Sequence, residues 1–79
     1  MFIEATYTDP VRMASVRGMC RNGTLIGCPA HNPATQYYVV DGKVWLVTDE
    51  RVVLLGSYAD FMDEVRKGIW LVEFAKHCS

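Results

Sequence analysis

The sequence has no long apolar run, no glycine-rich phosphate loop and no surplus of charge, and each absence removes a class of function. Its charge-free stretches are broken by Gly, Pro, Asn and Thr, so none approaches the roughly 20 apolar residues of a spanning helix. No membrane partner is expected. Met1-Phe2-Ile3-Glu4 also lacks the basic start and apolar block of a secretory signal, so a cytoplasmic location is expected. The net charge of −1 provides no overall field to hold nucleic acid or an anionic membrane. Cysteine is scarce and odd in number: Cys20, Cys28 and Cys78 cannot all pair within one chain, and free thiols are the simplest expectation. Neither a Ser-His-Asp pattern nor a dinucleotide fingerprint is present.

What is there reads as one globular domain, 1–79. With 51% hydrophobic and 22% charged residues, the chain is that of a packed protein, and 79 residues are too few for two cores. A core this small is marginal, so self-association is expected as one source of added stability.

Ile3, Ala5 and Tyr7 alternate with polar residues, which predicts a strand over 2–8. Asp9-Pro10 then has the form of a helix start, with Asp as N-cap and Pro at the first helical position. The segment that follows has two readings. One is a helix over 10–20 burying Met13, Val16 and Cys20 and closing on a left-handed Gly23, with a short strand over 24–27. The other places Asn22-Gly23 at the tip of a hairpin. The prolines at 29 and 33 predict a loop over 28–34.

Asp41-Gly42 between Gln36–Val40 and Lys43–Thr48 is the clearest signal. It predicts a hairpin with a type I′ turn, setting Val39 against Val44, Tyr38 against Trp45 and Tyr37 against Leu46. A third strand follows over 52–55. Ser57 as cap, with Tyr58, Phe61, Met62 and Val65 at helical spacing, predicts a helix over 57–67 ended by Gly68. Ile69–Phe74, apolar on both parities, predicts a central strand. The sum is an α+β domain of two layers, with about five mostly antiparallel strands.

Candidate sites are few. Cys20, Cys28 and His31, with His77 and Cys78, offer the ligand types of zinc, but the spacing fits no common zinc knuckle, so neither metal nor cofactor is expected. Cys28-Pro29-Ala30-His31 places an imidazole near a thiol, yet no orienting acid stands nearby. A Cys/His-dependent enzyme or zinc domain therefore ranks behind two binding readings. Arg12, Arg17 and Arg21, with Tyr37 or Tyr38 exposed for stacking, would suit a small nucleic-acid-binding regulator. The favoured expectation is a non-enzymatic protein-binding module. Its ingredients are the large aromatics Tyr7, Tyr37, Tyr38, Trp45 and Trp70 and the acidic helix face of Asp60, Asp63 and Glu64, which could present carboxylates where a partner holds phosphates. Phage-encoded inhibitors of host proteins, such as anti-CRISPR proteins, are small proteins of this kind.

Overall fold

The computed structural model describes residues 3–29 and 34–74. The chain runs β1 (Ala5–Tyr7), α1 (Pro10–Arg21), β2 (Thr24–Pro29), β3 (Gln36–Val40), β4 (Lys43–Val47), β5 (Val52–Ser57), α2 (Tyr58–Arg66) and β6 (Val72–Phe74). All six strands form one sheet in the order β1-β5-β4-β3-β2-β6, and every neighbouring pair is antiparallel. The α+β class holds, with six strands where about five were expected.

The central hairpin follows from its turn. Asp41 (φ 50°) and Gly42 (φ 75°) both take the positive φ of a type I′ turn, and the register is the one the sequence sets, Val39 with Val44, Tyr38 with Trp45 and Tyr37 with Leu46. Gly42→Val should lower the melting temperature clearly, because a β-branched residue resists this φ; thermal unfolding checks it, and an unchanged midpoint would count against the turn.

Successive strand residues face opposite ways, and the packing shows what covers each face. Tyr37, Val39, Leu46, Val53 and Leu55 pack with Phe61, Met62 and Val65 of α2. Tyr7, Tyr38, Trp45, Val47, Val52 and Leu54 pack with Met13, Val16 and Cys20 of α1. The helices therefore lie on opposite faces, and the two layers expected become three. The helical reading of the N-terminal segment is the one that holds, and it is what adds the third layer.

Both helices begin as their caps dictate. Asp9 Oδ2 accepts from the Arg12 backbone N–H at 2.9 Å, and Ser57 Oγ accepts from that of Asp60 at 3.2 Å. Their ends differ. At α2, the N–H groups of Gly68 and Ile69 donate to Val65 O and Glu64 O, the paired bonds of a Schellman motif. At α1, those of Asn22 and Gly23 donate to Met19 O and Cys20 O, and Gly23 is not left-handed, contrary to expectation.

Two further expectations change. β2 continues through Cys28 and Pro29, which were assigned to a loop, because Pro29 stands at the strand's end, opposite Val72 of the edge strand. The predicted central strand over 69–74 shortens to β6 and lies at the sheet edge. Its apolar character has a different origin, because Trp70 turns back toward α2, donating Nε1–H to Glu64 Oε1 at 3.2 Å while its ring packs against Tyr37 and Phe61.

Candidate functional site

The aromatics expected at the surface are mostly taken by the core. Tyr37 and Trp45 are buried, while Tyr7, Tyr38 and Trp70 are half-buried, because a helix packs on each face of the sheet over these rings. Tyr37 is thus not available for stacking on a base. Among the described residues the exposed aromatics are Tyr58 (42%) and Phe74 (45%).

Those two line an open, mainly apolar groove of about 340 Å³ together with Thr24, Leu25, Ile26, Val39 and Gly42. Its origin is geometric. The nine-residue α2 packs chiefly over β4 and β5, which leaves the β2 side of that face less covered. Sequence reasoning placed Tyr58 in the buried stripe of α2 and Phe74 in a central strand. An aromatic in the first turn of a short helix was the available signal that it would overhang the sheet.

On the other flank of α2, Asp60, Asp63 and Glu64 line a recess of about 370 Å³ with Lys67, Ile69, Leu55, Gly56 and Glu4. The three acids are brought together as expected, and Glu4, ahead of β1, joins them through the antiparallel pairing of β1 with β5. The recess is less acidic than its carboxylates imply. Asp63 pairs with Lys67 (2.8 Å) and Arg66 (3.9 Å), Glu4 pairs with Lys43 (3.7 Å), and Glu64 accepts from Trp70. The hydrogen bond from Lys67, then its charge and more weakly that of Arg66, hold the Asp63 carboxyl below its ordinary range. The sign follows: this contribution is present above the unfolded carboxyl's pKa and is lost as pH falls through the depressed folded value.

The three arginines divide. Arg12 lies over the Tyr7 ring, 4.9 Å from its centroid, so its charge serves packing at the edge of the α1 layer. Arg17 and Arg21, four residues apart on α1, line a second cleft of about 240 Å³ with Cys20, Ala34, Gln36, Tyr38, Val47, Thr48 and Asp49. Arg17 donates Nη2–H to Thr48 O at 2.6 Å, and Tyr38 donates its hydroxyl to Gln36 Oε1 at 2.9 Å.

The Cys/His set does not assemble among the described residues. Cys20 is buried in the α1 layer, which pushes its thiol pKa up, and it is free. Cys28 is disulfide-bonded, so the expectation of free thiols fails there, and no thiolate is available at Cys28 for a metal or a substrate. His31, His77 and Cys78 lie outside the described residues. Among the described residues no group of three or more His, Cys, Asp or Glu is placed to hold a metal ion, and no helix is long and apolar enough to cross a membrane.

No protein-family model, curated protein or solved structure matches the chain.

Proposed function

We propose that the chain is a non-enzymatic protein-binding module whose contact surface is the N-terminal flank of α2. The observation that carries this reading is the groove floored by Ile26 and Val39 and walled by the exposed rings of Tyr58 and Phe74. Aromatic anchors around an apolar depression, with charged groups to one side, are the anatomy of a binding hot spot. The neighbouring recess supplies the charged side: Asp60, which has no ion pair among the described residues, lies beside Asp63, Glu64 and Glu4, whose bonds to Lys67, Arg66, Trp70 and Lys43 a partner's lysines or arginines would have to displace or share. A protein with a basic nucleic-acid groove has that chemistry, and blocking such a groove is what a phage-type inhibitor, of which anti-CRISPR proteins are an instance, would do.

The test is affinity capture from the source cell with the native chain and three variants, each first shown to fold. Tyr58→Ser with Phe74→Ser should abolish capture of a protein partner by accelerating dissociation. Asp60→Asn, Asp63→Asn and Glu64→Gln together should slow association and reduce its salt sensitivity. Changing Arg12, Arg17 and Arg21 to Ala should leave capture intact. Loss of binding in the arginine variant alone would move the contact to α1, and recovery of nucleic acid with a steep salt dependence would overturn the protein-binding reading.

A further inference from the structure

We propose that the cleft between α1 and the β3–β4 layer binds a small phosphomonoester through Arg17 and Arg21, a role separate from the α2 flank. The argument begins with which cations are already neutralised. Among the described residues the ion pairs join Lys43 to Glu4 and Arg66 and Lys67 to Asp63, and Arg12 is engaged by the Tyr7 ring. Arg17 and Arg21 have no carboxylate partner among the described residues, although Asp49 lines the same cleft. Arg51 is likewise without an ion pair among the described residues, but it lines a separate recess beside Asp49 and Glu50, whereas Arg17 and Arg21 line one concavity together.

Geometry then selects the ligand. Residues four apart on a helix have their Cβ atoms about 5–6 Å apart, so Arg17 and Arg21 can straddle one anion. Arg17 is anchored by its bond to the Thr48 carbonyl, which uses one of the five N–H donors of a guanidinium and leaves the others for a ligand. A carboxylate is satisfied by a single guanidinium fork, whereas a tetrahedral dianion accepts from two. The cleft, at about 240 Å³, is smaller than the roughly 300–1,000 Å³ of drug-sized ligand sites, so it suits a phosphate with a short substituent. Asp49 and the Gln36 amide at the wall fit hydroxyl groups on that substituent and disfavour a second anion. The ligand class is therefore a hydroxylated phosphomonoester of the polyol-phosphate type.

The test is a titration of the folded full chain followed by backbone amide resonances, with glycerol 3-phosphate, inorganic phosphate and a short single-stranded oligonucleotide as separate probes at fixed ionic strength. Glycerol 3-phosphate should give saturable shifts confined to the cleft residues of α1, β3 and the β4 end, at lower concentration than inorganic phosphate. Arg21→Ala, at an exposed position, should weaken that response about tenfold while the spectrum stays folded, and Arg21→Lys should recover part of it. Shifts that do not saturate, or that persist unchanged in Arg21→Ala, would overturn the proposal. Tighter binding of the oligonucleotide than of either small phosphate would also overturn it, assigning the arginines to a nucleic-acid backbone. None of these outcomes depends on the α2 flank.

Discussion

Phe61→Ala should lower stability by about 3–5 kcal/mol, the usual cost of emptying a buried aromatic site. Phe61 is only 1% exposed, and its ring centroid lies 5.1 Å from that of Tyr37 and 6.1 Å from that of Trp70. It is thus the residue through which α2, β3 and the segment leading to β6 meet. Small domains have total stabilities of about 5–15 kcal/mol, and one of 79 residues belongs toward the low end, so the variant should be largely unfolded at modest urea. Urea unfolding followed by tryptophan fluorescence measures the shift in midpoint. Phe61→Leu should recover much of the loss, since it refills most of the volume. Asp63→Ala is the control. Its ion pairs are at the surface, where such pairs contribute little, so the change should be far smaller. If Asp63→Ala were the more damaging substitution, α2 would have to face the other way.

The parts of this fold that were legible in the sequence are those decided locally. Asp41-Gly42 fixes its own turn and therefore the register on both sides; Asp9-Pro10 and Ser57 fix helix starts; the spacing of Phe61 and Val65 fixes the buried face of α2. What could not be read depends on partners distant in sequence. Whether Tyr37 or Tyr38 reaches solvent depends on how many faces of the sheet carry a helix, and that turned on α1, whose sequence also permitted a hairpin. Ile69–Phe74 has the composition of a central strand, yet its aromatic content serves the α2 layer through Trp70, and only three residues pair. The candidate site was legible to a similar degree. Asp60, Asp63 and Glu64 share a recess because a helix places them so, whereas Glu4 joins them only through sheet pairing. The groove of Tyr58 and Phe74 was invisible, because it depends on which strands α2 covers, and that is set by packing between segments distant in sequence.

Gly27→Val should release β6 from the sheet. Gly27 pairs with Tyr37 on one side and Phe74 on the other, at the register shift of β2. A Cβ built at this position would collide with the carbonyl oxygen of Glu73 and lie 3.0 Å from the Phe74 Cα, so the conflict is backbone against backbone and no rotamer relieves it. One of the two pairings must give way. The β2–β3 side carries Ile26 and Tyr37 of the main core, while β6 contributes three residues at an edge, so the weaker partner should yield. Overpacking costs typically 1–3 kcal/mol, and here the lost β6 pairing and the uncovering of Val72 should place the effect at about the upper end of that range. Hydrogen exchange gives the specific readout: amides of Val72–Phe74 should lose protection while those of β3 and β4 keep theirs. Because Phe74 walls the apolar groove, the same variant should lose the protein partner along with β6 and still respond to glycerol 3-phosphate at the α1 cleft. Unchanged protection and melting temperature would show that β6 is not held against Gly27, and would remove Phe74 from the binding surface proposed for α2.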